Sequence, residues 1–265
     1  AAATRVGGSA PISSVELSGA SGTNGWYRSG VDVSLSALDP DPGSGVQAIY
    51  HQINSQPVQT STSFSIPMSG IYALRYAAVD RAGNQEVTRT LSIRIDNLAP
   101  TSQAAISGAP GAGGWYLQPV TVELTAADDL SGLAGIRYRV NSGAWITGTE
   151  IVLDTDGDYR LEFQAVDQAG NVEAAQALRV PLDQTAPSTS YQPDPRAILG
   201  DNGWYRSVVT ITLVPLDLTA GIANTFHRID GANWQTSTQF VLNQEGEHVI
   251  EFYSVDAAGN VETPF

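Results

Sequence analysis

The chain contains no cysteine and no lysine, so all 13 of its basic residues are arginine. Two covalent staples are thereby excluded, disulfides and lysine–asparagine isopeptide bonds, and stability has to come from packing, hydrogen bonds and any metal held. Lysine is also the usual guard of exposed strand edges, so its absence permits edge contacts. Positive charge is scarce as a whole: 27 acidic against 13 basic residues give a net charge of −14. Such a surface repels nucleic acid and anionic lipid. No apolar run approaches the roughly 18 residues of a membrane-spanning helix, so no membrane span is predicted. No helical periodicity of useful length, nucleophile motif, phosphate loop or metal-ligand histidine spacing occurs, and no catalytic residue is assigned. The opening A-A-A-T-R-V has neither initiator Met nor signal peptide, the expectation for a mature or excised product.

What the chain has instead is repetition. A-V-D-R-A-G-N-Q-E at 78–86 returns as A-V-D-Q-A-G-N-V-E at 165–173 and as S-V-D-A-A-G-N-V-E at 254–262. A second anchor, N-G-W-Y or G-G-W-Y, places Trp26, Trp115 and Trp204 at a constant interval of 89. An Asp stands 13 positions after each Trp: Asp39, Asp128 and Asp217. The repeat predicts Ig-like domains at 10–98, 99–185 and 186–265, preceded by a segment at 1–9. Asp96-Asn-Leu-Ala-Pro100 and Asp183-Gln-Thr-Ala-Pro187 join the copies, and proline there stops the sheet ladder. Joints this short predict an elongated rod with restricted bending.

Within each copy the pattern has period two. Tyr159, Leu161, Phe163 and Ala165 alternate with Arg160, Glu162 and Gln164, as in a strand with one face buried and one wet. The strand ends at the Asp, and x-A-G-N supplies a turn because Gly and Asn tolerate positive φ and Asp bonds its own turn backbone. Each copy reads as about seven short strands with turn signals at intervals of roughly ten residues, an all-β, immunoglobulin-like β-sandwich. Trp26, Trp115 and Trp204 are expected to be buried, each costing about 3–5 kcal/mol if truncated to Ala.

W-Y followed by A-x-D, then S-G, a strand ending in Asn or Asp, A-V-D-x-A-G-N-x-E and D-x-x-A-P resembles the bacterial Ig-like repeats often named after a leptospiral outer-membrane protein. The resemblance covers nearly the whole chain. It implies a non-enzymatic role at the cell surface or outside the cell, in spacers, adhesin stalks and appendages to secreted glycosidases. The family label speaks of a barrel, whereas the strand count and length here suit a sandwich.

Candidate chemistry has to be weighed against structural roles. His51 and His227 align with Tyr138, and His248 aligns with Tyr72 and Tyr159, so each His takes a place that Tyr fills in a sister copy. A half-buried ring with one polar edge accounts for all three. The Asp columns at strand ends and linkers could hold calcium, with Asp128, Asp167 and Asp183 as candidates. Capping of each Asp's own turn is the alternative, and recurrence in every copy fits both. Asp154-Thr-Asp156-Gly-Asp158 looks calcium-like in isolation, but its counterparts share only the Gly, which favours a hairpin turn. Trp145 and Trp234 follow a turn where a carbohydrate platform would sit; Val58 replaces them in the first copy, which favours packing.

The third copy stops at Thr263-Pro264-Phe265, without the last strand that the first two possess. The segment 1–9 stands where a preceding domain's last strand would be, and its Arg5-Val6 echoes Arg179-Val180. Two readings follow. Either copies join head to tail, the segment of one completing the third domain of the next in a surface filament, or the chain is a spacer cut from a longer array. A far-ultraviolet spectrum of β type is expected, and substantial helix would contradict the fold.

Overall fold

A computed structural model describes residues 8–265. The segment 1–9, assigned above as a donor strand, lies outside the described residues except for its last two.

In the first repeat, β1 (Ile12–Ser18), β3 (Val31–Leu38) and β5 (Ser63–Ile66) form one sheet in the order β1-β3-β5. The second sheet holds β2 (Trp26–Tyr27), β4 (Val46–Ile53), β6 (Gly70–Asp80) and β7 (Arg89–Ile95), in the order β2-β7-β6-β4. Alternation dictates which residues meet. Val31, Val33 and Leu35 point inward from β3, Leu74, Tyr76 and Ala78 from β6, and Ile93 and Ile95 from β7, and together they make one core. Val33 lies opposite Leu17 on one side and Phe64 on the other. A one-residue slip would turn this whole set to solvent, and each aliphatic side chain so buried contributes about 1.5–3 kcal/mol.

The second repeat contributes β8 (Thr101–Ser107), β9 (Val120–Ala127), β10 (Leu133–Val140), β11 (Ile146–Thr147), β12 (Glu150–Leu153), β13 (Gly157–Asp167) and β14 (Gln176–Leu182). Its sheets run β12-β9-β8 and β11-β10-β13-β14. The third contributes β15 (Ser188–Pro193), β16 (Val209–Leu216), β17 (Ile222–Ile229), β18 (Gln235–Thr236), β19 (Gln239–Leu242) and β20 (Ile250–Asp256), in sheets β15-β16-β19 and β18-β17-β20. In these two copies the short strand at the first Trp is replaced by a 3-10 turn, Ala112–Gly114 or Asp201–Gly203. There is no α-helix among the described residues. By packing the chain falls into two compact units, Ala1–Gln103 with Thr125–Arg137 and Phe163–Ala175, and Ala104–Leu124 with Tyr138–Glu162 and Gln176–Phe265. The second repeat therefore contributes to both.

Two details differ from the sequence pattern. Glu162 and Gln164, on the face of β13 expected to be wet, are buried. Arg139 covers Glu162 with a 2.8 Å ion pair and is itself stacked 4.8 Å from the Trp145 ring, while Arg160 adds a 3.2 Å contact. Hydrogen bonds from Arg139 and then Arg160 hold the Glu162 carboxyl below its ordinary pKa. Alternation thus survives while the polarity rule fails, because a layer of arginine and tryptophan roofs the outer face. The second detail concerns the tryptophans: Trp26 is buried, Trp115 is half-buried and Trp204 is 58% exposed. Trp26 is covered by β7, alongside which it pairs at Arg94, and Trp115 lies under Arg179 of β14. No such strand stands beside Trp204 among the described residues.

His51 and His227 are buried and stacked at 4.1 Å on Phe64 and Phe240, and Nδ1 of each lacks a hydrogen-bond partner. Burial lowers both pKa values. A lowered His pKa means that the charged form is rejected by the fold, so the stability it contributes is present above pH ~6.5 and is lost as the pH falls through the folded value. We expect His51→Phe with His227→Phe to flatten the decline of the denaturant midpoint between about pH 6.5 and pH 4.5; an unchanged slope would show that other groups set it.

Candidate functional site

The recurring nonapeptide builds a turn and a clamp. The Asp80 carboxylate takes N–H bonds from Ala82 and Asn84 at 2.9 and 2.8 Å and the Asn84 amide group at 2.8 Å. Asp167 and Asp256 do the same with Asn171 and Asn260. The turn needs Gly because Gly83, Gly170 and Gly259 sit at φ of 91°, 91° and 101°. Three residues beyond the Gly comes the Glu. Glu86 accepts from Ala78 N–H in β6 at 2.8 Å and from Ser13 N–H in β1 at 3.1 Å, which ties the two sheets of one sandwich together. Glu173 joins Ala165 to Ser102, and Glu262 joins Ser254 to Thr189, in the same way.

The linker aspartates extend this geometry from one repeat to the next. Asn171 also donates to the Asp96 backbone carbonyl at 2.8 Å, and Asp96 Oδ2 accepts from Ser131 N–H at 3.0 Å. Asn260 and Ala220 make the matching bonds to Asp183. Carboxylate oxygens of Asp96, Asp128 and Asp167 consequently lie within 4.8 Å of one another, and so do those of Asp183, Asp217 and Asp256. In each trio two members are buried and the one after the Trp strand is half-buried. Among the described residues no arginine is paired with any of the six. Burial first, then the charges of Asp217 and Asp256, raise the pKa of Asp183 against the bonds from Thr185 and Ala220.

The structure thus brings Asp128 and Asp167 together but groups Asp183 with other partners. Every one of these aspartates also caps a turn: Asp128 Oδ2, for instance, accepts from Gly132 N–H at 2.7 Å. Asp96, Asp217 and Asp256 complete the trios. No third trio occurs among the described residues, and in the sequence the place four residues before Pro11 is taken by Gly7.

Comparison with known proteins bears on the repeats as units. Residues 27–97 and 152–184 match the sequence profile of the bacterial Ig-like domain. These stretches of the first and second repeats are similar to bacterial Ig-like domains. Domains of this kind are typical of extracellular and surface proteins, and the family is generally non-enzymatic. Solved structures similar to the chain include the fibronectin(III)-like modules of Clostridium thermocellum CbhA, at 11% identity and a TM-score of 0.33 over 64% of this chain and 94% of that one. Another is the D00-D0 domain of intimin, at 15% identity and a TM-score of 0.32 over 64% of this chain and 99% of that one. No curated protein matches the chain significantly in sequence. Among the described residues no helix is long and apolar enough to cross a membrane.

In the third Ig-like domain β20 pairs with β17 alone among the described residues, whereas its counterparts β6 and β13 are each flanked by a further strand, β7 and β14. An open groove of ≈ 860 Å³ is lined by residues 202–209 and 242–248. His248 borders the groove in the place of a Tyr: Tyr72 and Tyr159 donate to the carbonyls of Met68 and Thr155 four residues back, and His248 Nε2 meets the Gln244 carbonyl at 3.2 Å. Its Nδ1 lies 2.7 Å from Asp230, whose hydrogen bond raises the His248 pKa. Asp156 and Asp158 are engaged by Gln184 and by Arg179, the latter through two bonds of 2.8 and 3.0 Å. Trp145 and Trp234 each present one ring face to an arginine, at 4.8 and 4.6 Å.

Two substitutions test these networks. Asn260→Ala strips bonds from Asp256 and from the Asp183 carbonyl and should cost about 1–3 kcal/mol in denaturant unfolding. Asp183→Asn, measured in chelator, should have an effect that depends on pH. With its pKa raised in the fold, Asp183 contributes most to stability below the ordinary Asp value, ~3.9, and less as the pH rises through its folded value. Asn keeps one acceptor for the two N–H donors of Thr185 and Ala220, a cost present at every pH, so the variant should stand higher relative to wild type at pH 7 than near pH 3.5; the same difference at both would contradict the electrostatic strain.

Proposed function

We propose that the protein is a non-enzymatic structural segment of an extracellular or cell-surface protein, a spacer of Ig-like domains whose linkers are tied down by carboxylates that take up calcium. The observation that supports this reading is that the polar chemistry is repeated. Asp80, Asn84 and Glu86 recur as Asp167, Asn171 and Glu173 and as Asp256, Asn260 and Glu262, each set bonded within its own turn and sheets. An active site needs a constellation found in one place, with a reacting atom poised between its members.

Calcium takes six to eight oxygen ligands, mostly carboxylate and carbonyl. Three carboxylates drawn within 4.8 Å, two of them buried and none paired with arginine, suit that cation and repel one another without it. Calcium at about a hundredfold excess over its Kd should add ~2.7 kcal/mol of stability and raise the melting temperature. An identical melting curve in chelator and in calcium would leave turn capping as the whole role of Asp128, Asp167, Asp183 and their neighbours.

A second reading is the subunit of a filament whose copies meet at β20, which pairs with β17 alone among the described residues. In it, copies join head to tail, residues 1–9 of one lying along β20 of the next. Deletion of residues 1–9 should then abolish polymers seen by negative-stain microscopy. Polymers that persist, or a native chain that is monomeric, would rule this assembly out and leave the spacer.

A further inference from the structure

The geometry points to the loop ahead of Trp26 and Trp115 as a docking surface for the x-A-G-N turn of the following repeat, and to the residue before that A-G-N as the one the loop reads. The first joint is thereby locked by side chains, and the second is held by backbone alone at this contact. This goes beyond the spacer reading and needs no cation.

Two amides report the docking, because each finds its acceptor in the neighbouring repeat. Thr23 N–H donates to the Ala169 carbonyl at 2.9 Å, and Ala112 N–H donates to the Ala258 carbonyl at 2.6 Å. Ala169 and Ala258 are fully buried, whereas Ala82, at the same place in a turn that receives no such loop among the described residues, is exposed. The approach is close enough to dictate glycine. A Cβ on Gly22 would stand 2.3 Å from the Ala169 carbonyl oxygen, and one on Gly111 would stand 2.4 Å from that of Ala258. Neither glycine has a positive φ, so the backbone conformation would accept a side chain and it is the neighbouring repeat that excludes one.

Around this shared contact the side chains differ. At the first joint the loop is Gly22-Thr-Asn-Gly25 and the turn opens with Gln168. Thr23 Oγ1 donates to the Gln168 carbonyl at 2.6 Å, and the Asn24 amide group donates to the same carbonyl at 3.0 Å and to Gln168 Oε1 at 2.9 Å. Arg28 adds a long bond of 3.4 Å to the Gly170 carbonyl. At the second joint the loop is Gly111-Ala-Gly-Gly114, Leu117 stands in the place of Arg28, and the turn opens with Ala257. Ala112, Gly113 and Leu117 carry no polar side-chain group, so these bonds have no counterpart there. The backbones nevertheless correspond: Asn24 at φ 53° and Gly113 at φ 59° are both left-handed, a conformation that Asn tolerates. The bonds of Asn171 and Asn260 to the linker carbonyls are common to both joints, which leaves the loop as the difference. A polar loop thus faces a polar turn residue and a small loop faces a small one, and a fluctuation opens the second joint before the first.

The test is residue-resolved amide exchange on the full chain in chelator. Protection should be about tenfold greater at Thr23 than at Ala112, the factor that three neutral hydrogen bonds at the low end of their range supply together. Thr23→Ala with Asn24→Gly gives the first loop the side chains of the second, and should lower protection of the amide at position 23 about tenfold while the clamp amides of Ala78 and Ala165 keep theirs. The reverse exchange, Ala112→Thr and Gly113→Asn with Ala257→Gln, should raise protection at position 112. Gly22→Ala should expose the Thr23 amide with Ala78 and Ala165 still protected. Equal protection of Thr23 and Ala112 in the wild type, or protection at position 23 that survives the double substitution, overturns the side-chain lock, and a Thr23 amide unchanged in Gly22→Ala overturns the docking itself. Because every arm is run in chelator, the trios can fail as calcium sites while the lock stands, and the lock can fail while they bind.

Discussion

The glutamate clamp is the constraint on which the rest of each domain depends. A sandwich presses two sheets together through apolar contacts that are non-directional, and these alone leave the sheets free to slide. Glu86, Glu173 and Glu262 each place their carboxylate between the first strand of one sheet and the long strand of the other, bonding an amide in both. Such charge-assisted bonds are worth about 1.5–3 kcal/mol, and a buried amide left unpaired costs a similar amount. The turn that aims the Glu is in turn closed by the Asp at the strand end, and Asn171 and Asn260 of that turn reach the preceding linkers. One nine-residue phrase therefore fixes strand end, sheet spacing and linker.

That economy creates the electrostatic tension in the carboxylate trios. A linker Asp brought to the Asn of the next repeat also arrives beside two aspartates already occupied with turns. Hydrogen bonds from backbone N–H groups offset part of the repulsion, while burial, with the charges of Asp217 and Asp256 beside it, raises the pKa of Asp183 against them. A divalent cation at either trio would screen these charges, so the same residues are both caps and candidate ligands.

Much of this was legible in the sequence, for reasons that can be stated. Strands followed from period-two alternation, turns from Gly and Asn, and the tyrosine-like places of the histidines from alignment of the copies. The Glu clamp was in plain view as the last letter of the repeated phrase. Its partner was not, since Ser13, Ser102 and Thr189 lie about seventy positions away and a serine in a strand gives no local sign of what bonds it. Membership of the trios was hidden for the same reason: Asp183 reads as the neighbour of Asp167 in sequence but meets Asp217 and Asp256 in space. Trp204 shows the limit of a residue-type argument. Its burial depends on a flanking strand, so the same residue in the same motif is covered in one domain and exposed in another.

The central claim is that a glutamate clamp of one geometry ties the two sheets together in each of the three sandwiches. Residue-resolved amide hydrogen exchange tests it most directly. The amides of Ala78, Ala165 and Ser254, all held by the Glu clamp, should be protected alike. Replacing each clamp glutamate by alanine should speed exchange at its own amide by a comparable factor in all three copies. Protection of these amides that survives loss of the glutamate would contradict the account.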